Sequence, residues 1–584
     1  MKLSALDLSI PSLQRAYHNG ASVAGVMTEV MRRADAYGTL DPAVWIARLC
    51  EAHVMGFAAA LDGLDDEART AKPLFGIPFA IKDNIDLDGV PTTAGCPGFA
   101  ATPEASAPIV EKLIAAGAVP IGKTNLDQFA TGLVGTRSPY GAPRCVYNSD
   151  FISGGSSSGS AVAVAAGLVS FALGTDTAGS GRVPAALNGL VGLKPTPGLC
   201  STTGIVPACA SLDCPSIFAL SVEDALITLS VMAGEDDADP WSRPGPPCPL
   251  PRHTARLGVL ADTAREFFGD DEAAALYNAA IERAQAAGHT VETFDYAPFA
   301  EAAALLYQGP FVAERYQGVG DALEQGLDGL DETVAGIILG GKDKSAADLF
   351  AAQTGLQALR KQAARLFAGL DGLLLPTAPT AYTVADVMAD PVTLNSRMGT
   401  YTNFVNLMGL AAIAVPAGAR DSTGVPFGVT LVGPGGSDFD LASLARTVLP
   451  ATPVEPMEIA VVGAHLRGQP LNWQLTEKGG QFVRQTLSAP HYRLYAMEAV
   501  PPKPALVKSE ASDKGEAIEL EIWQLPPSEI GALLAQIPAP LGLGTVELID
   551  GSTVKGFIAD PTALEIATEI TALKRWRTFV GQKA

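Results

Sequence analysis

The sequence is short of basic residues: 40 lysines and arginines stand against 62 aspartates and glutamates, a formal net charge of −22 over 584 residues. Nonspecific binding to nucleic acid or to an anionic membrane needs a basic surface, so the composition argues against both. Long apolar runs are lacking as well. The run over residues 161–174 falls short of the roughly 20 residues that span a membrane. We therefore expect neither a nucleic-acid nor a membrane partner.

Cysteine is sparse and irregularly placed. Among the seven cysteines, Cys209 and Cys214 lie close together, but no second pair and no histidine accompanies them. This pattern argues against a zinc site, and no metal or cofactor is expected. The first residues, MKLSALDLSIPSLQRAY, lack the apolar segment of a signal peptide. We expect reduced thiols and a cytoplasmic protein.

Histidine is scarce too, with six in the chain and none over residues 73–212. That interval holds two glycine–serine loops, GGSSSGS (154–160) and GTDTAGSGR (174–182). Small residues around Ser180 leave backbone N–H groups free to converge, as stabilisation of an oxyanion requires. A serine nucleophile here needs a base other than imidazole, and Lys82 follows an apolar segment upstream. Burial lowers the pKa of a lysine, and only the neutral amine can accept a proton.

Short apolar segments alternate with helical periodicity along most of the chain. Residues 74–81 and 169–173 are predicted as strands, and 109–116 and 272–288 as helices, which indicates an α/β layered fold. The composition then breaks near Ala451 to Pro456, and later segments such as IELEIWQLP alternate like antiparallel strands. We therefore predict a catalytic domain over 1–455 and a smaller α+β domain over 456–584.

Three motifs carry a family resemblance: KPLFGIPFAIKDNID, GGSSSGSAVAVAAG and GTDTAGSGRVPAALNGLVGLKPT. Through them the chain resembles the amidase signature family of serine hydrolases, with similarity along most of residues 1 to 450. The resemblance implies a mixed central sheet covered by helices and a Ser-Ser-Lys triad. In that triad Ser180 is the nucleophile, Ser156 the bridging serine after a cis peptide, and Lys82 the terminal base. Local chemistry alone does not separate Ser156 from Ser157 and Ser158.

The resemblance also implies how the oxyanion is held. Its donors would be the backbone N–H groups of Thr177, Ala178, Gly179 and Ser180. A glycine–serine loop before a helix is equally compatible with an anion site or a flexible linker.

Two further features resemble allophanate hydrolases within that family. Tyr307 and Arg315 stand eight residues apart, and an arginine can clamp a carboxylate through two hydrogen bonds. The segments VVGAHLRGQPLNWQL, PHYRLYAM and VELIDGSTVKGFI are similar to the C-terminal domain of those enzymes. The resemblance implies a small anionic substrate, allophanate (urea-1-carboxylate), whose hydrolysis releases ammonia and gives N-carboxycarbamate. In the C-terminal domain His465 is the candidate to assist the decarboxylation that follows, and His491 is the alternative.

Other functions stay open at this point. They are a general amidase, a carboxybiuret-type hydrolase and the A component of a tRNA-dependent amidotransferase. The acidic composition and the C-terminal domain count against the amidotransferase. The C-terminal domain could also serve dimerisation or docking, and because family members commonly dimerise we expect a homodimer.

Overall fold

The chain divides into two compact units, residues 1–450 and 451–584. The computed structural model describes residues 6–245, 254–450, 456–509, 515–560, 562 and 567–583. The predicted domain boundary after residue 455 adjoins residues 451–455, which lie outside the described residues. The functional division into domains therefore stays a prediction.

The first unit is built around one large sheet. Eleven of its described strands join in the order β1-β3-β2-β6-β8-β7-β12-β13-β11-β9-β10, and β4 pairs with β5 separately. The strands are β1 (Trp45–Arg48), β2 (Ile77–Lys82), β3 (Ala118–Thr124), β4 (Arg144–Cys145), β5 (Asn148–Ile152), β6 (Phe171–Asp176), β7 (Val191–Lys194), β8 (Cys214–Ala219), β9 (Arg256–Leu260), β10 (Thr290–Phe294), β11 (Gly372–Pro376), β12 (Ala411–Ala419) and β13 (Pro426–Gly433).

The large sheet is mixed, as the family resemblance implied. Strand β2 runs parallel to β3 and β6, whereas β6, β8 and β7 pair antiparallel. Every residue of β2, β3, β6 and β8 is buried, which explains why these segments are nearly continuous apolar runs rather than alternating ones. Phe79 and Phe171 stack across β2 and β6 with ring centroids 5.2 Å apart. The α/β prediction is confirmed.

Helices cover this sheet. They are α1 (Ile10–His18), α2 (Val23–Gly38), α3 (Glu51–Asp62), α4 (Asp66–Thr70), α5 (Pro108–Ala115), α6 (Ser158–Ala165), α7 (Arg182–Leu187), α8 (Val222–Met232), α9 (Asp271–Ala286), α10 (Ala297–Tyr307), α11 (Val312–Glu324), α12 (Glu332–Leu339), α13 (Ala346–Phe367), α14 (Val384–Ala389), α15 (Thr393–Met398), α16 (Phe404–Leu407) and α17 (Asp438–Val448). None of the described helices is both long and apolar enough to cross a membrane.

The predicted strand over 169–173 lies later in the chain than expected. Strand β6 continues through Thr175 and Asp176, because these polar residues pair with Pro215 and Cys214 of β8. The apolar pattern ends at Leu173, but backbone pairing does not depend on apolar side chains. The shift matters because it fixes the residues just before Ser180 to the sheet.

The second unit is β-rich. One described sheet has the order β15-β18-β14-β20-β19 and another the order β17-β16-β21. Strands β18 and β14 pair antiparallel, as do β19 and β20, whereas β14 and β20 pair parallel. The elements are β14 (Met457–Val461), β15 (Gln481–Leu487), β16 (Tyr492–Met497), β17 (Lys503–Lys508), β18 (Glu519–Leu525), β19 (Leu541–Glu547), β20 (Thr553–Ala559), β21 (Ala567–Glu569), α18 (Trp473–Thr476), α19 (Pro527–Leu534) and α20 (Trp576–Lys583).

Candidate active site

A buried lysine and a buried serine meet at the carboxyl end of β2. Lys82 is the last residue of that strand, and its Nζ donates to Ser156 Oγ at 2.8 Å and to Thr175 Oγ1 at 2.7 Å. Both Lys82 and Ser156 have no exposed surface. The peptide bond between Gly155 and Ser156 is cis. The pair that the resemblance implied is therefore in direct contact.

The neighbouring serines are engaged elsewhere. Ser157 Oγ donates to the Thr175 carbonyl at 3.2 Å, and Ser158 Oγ donates to the Asn125 carbonyl at 3.4 Å. Ser156 is thus the member of this loop whose hydroxyl meets the lysine. The ambiguity that the sequence left among the three serines is resolved by geometry.

Burial lowers the pKa of Lys82 to about 7. Desolvation disfavours the ammonium form, and the positive charge of Arg315 adds to that effect. The carboxylates of Asp127, Asp213 and Asp176 oppose it. A substantial neutral fraction near pH 7 lets the amine act as a base.

Ser180 lies on a loop that Asp176 organises. The Asp176 carboxylate accepts from the backbone N–H groups of Gly179 (2.8 Å) and Gly181 (3.1 Å), and it pairs with Arg182 at 2.9 Å. Helix α7 begins at Arg182, directly after this turn. Ser180 is 3% exposed, and its Oγ donates to the Gly132 carbonyl at 3.4 Å.

The loop around Ser180 offers backbone donors, but not all four that were expected. The Gly179 N–H is already bound to Asp176, so Gly179 is removed from the predicted donor set. The N–H groups of Thr177, Ala178 and Ser180 donate to no partner within the described chain. Gly179 itself adopts φ +133°, and a Cβ there would overlap the side chain of Thr402. Three free N–H groups in one tight loop suit a developing oxyanion.

Arg315 and Tyr307 are in contact with each other close to this loop. Arg315 is 1% exposed, and its guanidinium donates to the Tyr307 hydroxyl at 3.2 Å and to Thr131 Oγ1 at 2.9 Å. No carboxylate of the described residues lies within ion-pair distance of it, and its Nε is buried without a hydrogen-bond partner. Burial disfavours the charge, but Tyr307, Cys209, Asp213 and Glu314 outweigh that effect and raise the pKa of Arg315. Thr131 adjoins Gly132, whose carbonyl contacts Ser180. The guanidinium is therefore linked to the serine through two consecutive residues.

A cavity of about 380 Å³ opens beside Tyr307. Arg137 and Lys344 contribute positive charge to its wall, and Asn395 and Asn403 contribute amides. In a chain with a net charge of −22, this is a local cationic environment. It suits the entry of a small anion.

The second unit holds a separate small cavity, about 170 Å³, at His465. The His465 ring lies 2.9 Å from Gln474 Oε1 through Nε2 and stacks on Phe557 with centroids 4.8 Å apart. Burial lowers the pKa of His465. His491, the alternative candidate, instead has its Nε2 3.2 Å from Glu547.

Several residues of the site have no signal in the sequence that singles them out. Thr175 is the second acceptor for Lys82, Thr131 binds Arg315, and Asp127 lies behind the Gly155–Ser156 peptide. The stretch AVPIGKTN just before Asp127 is predictable as a strand and turn. The polar side chains that follow it could belong to any turn.

A family model described as Amidase matches residues 26–441. The chain belongs to the amidase family. A second model, the allophanate hydrolase C-terminal domain, matches residues 457–581. This chain is thus an amidase-family amidohydrolase that carries an additional domain.

Two of the similar proteins match this amidase over most of its length. The solved allophanate hydrolase of Kluyveromyces lactis is 38% identical, with a TM-score of 0.70 over 99% of both chains. The urea amidolyase of Saccharomyces cerevisiae is 44% identical over 88% of this chain and 30% of its own length. The chain therefore spans about a third of the curated urea amidolyases that it matches. A glutamyl-tRNA(Gln) amidotransferase component from Thermosynechococcus vestitus is 38% identical over 62% of this chain and 80% of its own length.

Proposed function

We propose that this amidase hydrolyses allophanate, with Ser180 as nucleophile, Ser156 as proton relay and Lys82 as base. The observation that carries the proposal is the buried, ion-pair-free guanidinium of Arg315 beside the Ser180 loop. In the free protein its terminal nitrogens donate to the neutral hydroxyls of Thr131 and Tyr307 rather than to a carboxylate. A substrate carboxylate could form an ion pair with this guanidinium, and allophanate is an amide with a carboxylate at its other end.

The proposed chemistry begins with proton transfer. Ser180 passes its proton to Ser156 while Ser156 passes its own proton to the neutral Lys82. The hydrogen bond between Lys82 and Ser156 is already present, and the relay also needs one between the hydroxyls of Ser156 and Ser180. Ser180 Oγ bonds to the ureido carbonyl carbon, and the oxyanion accepts from Thr177, Ala178 and Ser180 N–H. The terminal C–N bond breaks, the relay returns the proton to nitrogen, and ammonia leaves. Water then hydrolyses the acyl-enzyme to N-carboxycarbamate.

We propose that the C-terminal domain aids the decarboxylation that follows, with His465 as its candidate residue. A lowered pKa favours the neutral imidazole at pH 7, and Lys503 supplies positive charge in the same cavity. A chain cut before Met457, or His465→Ala in the full chain, should then release one ammonia per allophanate instead of two. Full stoichiometry with altered solution mass would favour a scaffold role instead.

The reaction is tested by an ammonia assay on allophanate, on a carboxybiuret and on neutral amides. We expect allophanate to be preferred and Ser180→Ala to abolish its turnover. Ser170→Ala is the matched control, because that serine is also buried but its hydroxyl has no described partner. Normal turnover by Ser180→Ala would refute the assignment, and a preference for neutral amides would favour a general amidase.

The A component of a tRNA-dependent amidotransferase is the remaining alternative, supported by the likeness to such a protein over 62% of the chain. Co-purification of tRNA or of a partner protein would favour it. A cytoplasmic location is supported by the free thiols of the described cysteines. A homodimer is proposed on the family resemblance, and its mass in solution is the test.

A further inference from the structure

Asp127 lies between the Lys82–Ser156 pair and the loop that contacts Ser180 and Arg315. It has no exposed surface. Its backbone N–H donates to the Ser156 carbonyl at 2.9 Å, so this residue is bound directly to the proposed relay serine. A Cβ on Gly155 would overlap the Asp127 carboxylate. The carboxylate therefore packs closely against the Gly155–Ser156 peptide.

The same carboxylate closes the loop that follows it. Oδ2 accepts from the N–H groups of Val134 (3.3 Å) and Gly135 (3.0 Å), and Oδ1 accepts from the Arg137 N–H at 3.0 Å. A Cβ on Gly132 would also overlap the carboxylate. Three backbone donors fix the path of the chain between Asp127 and Arg137.

The loop so fixed carries contacts to both catalytic halves. The Gly132 carbonyl accepts from Ser180 Oγ at 3.4 Å, and Thr131 Oγ1 accepts from Arg315 at 2.9 Å. One side of Asp127 thus holds the peptide of the relay serine, and the other side holds the residues that meet the nucleophile and the guanidinium.

We propose that Asp127 is a positioning residue that keeps the Lys82–Ser156 pair in register with Ser180 and Arg315. The inference deepens the proposed function and rests on it for the roles of these four residues. Asp127 itself acts through its neighbours and contacts no reacting atom.

The charge of Asp127 gives the proposal a second consequence. It is the largest of the carboxylate effects that raise the pKa of Lys82, against the dominant effect of burial. Asp213 and Asp176 act in the same direction, and Arg315 acts in the opposite one. Burial raises the pKa of Asp127 itself, whereas Arg137, the backbone donors and Lys82 favour its ionised form. Removing the charge should therefore lower the pKa of Lys82 further.

The test is Asp127→Asn, read by the rate at which a sulfonyl fluoride labels Ser180 between pH 5 and pH 9. This readout needs no allophanate, so failure of the proposed substrate and failure of the positioning role are distinguishable. We expect the plateau rate to fall by about tenfold or more, because a relay contributes on the order of a hundredfold or more. The midpoint of the acid limb should move to lower pH. With allophanate, KM should rise as well, because Arg315 loses its anchor at Thr131.

Asp224→Asn is the matched control, since Asp224 is a fully buried carboxylate that accepts from the Ile10 N–H at 3.1 Å. In Asp224→Asn, we expect Ser180 to be labelled and allophanate to be hydrolysed at the rates of the wild type. A plateau and midpoint of Asp127→Asn equal to those of Asp224→Asn would overturn the proposal. If Asp127→Asn does not fold, Gly132→Ala displaces the carboxylate and keeps its charge. That variant should lower the plateau without moving the midpoint, and an unchanged plateau would equally overturn the proposal.

Discussion

Replacing Arg315 by methionine tests the carboxylate clamp most directly. The guanidinium donates through both terminal nitrogens, to Thr131 and to Tyr307, and both partners are neutral hydroxyls. A substrate carboxylate would convert such contacts into charge-assisted hydrogen bonds, worth about 1.5–3 kcal/mol each. Loss of two amounts to about 3–6 kcal/mol. At about 1.4 kcal/mol per factor of ten, kcat/KM for allophanate should fall by about a hundredfold to ten-thousandfold.

The stability of the same variant should not follow its activity. Burial disfavours the charge of Arg315, whereas Tyr307, Cys209, Asp213 and Glu314 favour it and raise its pKa. Methionine of similar length removes that charge. The relief of burial and the loss of these favourable interactions oppose each other, so we expect Arg315→Met to melt close to the temperature of the wild type.

The assay compares kcat/KM on allophanate with kcat/KM on a neutral amide of similar size. Arg360→Met is the matched control, because Arg360 also donates to a neutral acceptor, the Leu407 carbonyl, at 2.9 Å and 2.6 Å. Only Arg315→Met should lose activity on allophanate selectively. An equal loss on both substrates would refute the clamp and assign Arg315 a purely structural role.

Three more outcomes follow from the site. If the base is the neutral amine of Lys82, as proposed, its pKa of about 7 means that kcat/KM should rise with pH to a plateau and fall about tenfold per pH unit well below pH 7. A flat profile between pH 5 and pH 8 would contradict this role. Thr175→Val removes one of the two hydroxyls that accept from Lys82 and should lower kcat with little change in KM, whereas a change confined to KM would place Thr175 on the substrate side. Gly179→Ala should destabilise the fold by about 1–3 kcal/mol and lower kcat, because φ is +133° at that position and the added methyl group would overlap Thr402. Gly336→Ala is the control in thermal melting, since Gly336 lies on a helix with open space around it. Equal melting temperatures for the two variants would contradict this explanation.

Sequence patterns predicted the layered architecture because buried parallel strands and helices leave different periodicities. Examples are the strand predicted over 74–81 and the helix predicted over 272–288, which the structure has at Ile77–Lys82 and Asp271–Ala286. The ends of strands were less predictable where polar residues remain paired with the neighbouring strand, as Thr175 and Asp176 do. The motif resemblance supplied Ser156, Ser180 and Lys82 as candidates, and it supplied Gly179 as a donor that the structure shows to be bound to Asp176.

Residues that act through packing could not be found in this way. Asp127 and Thr131 are ordinary polar residues of a turn in the sequence, and the role proposed for Asp127 depends on contacts that only the fold creates. Arg315 is 184 positions from Thr131. Contacts over such separations depend on how strands cross in the sheet, which periodicity does not encode.

The sequence by itself determined the chemistry that is available: a histidine-free interval, two serine loops and one lysine at a strand end. It did so because side-chain identity sets which groups can attack or accept a proton. Only the tertiary structure decided which serine meets the lysine, that burial lowers the pKa of that lysine to about 7, and that Arg315 is left without an ion pair among the described residues. Those properties depend on exclusion of water and on distance, and both exist only once the chain is packed.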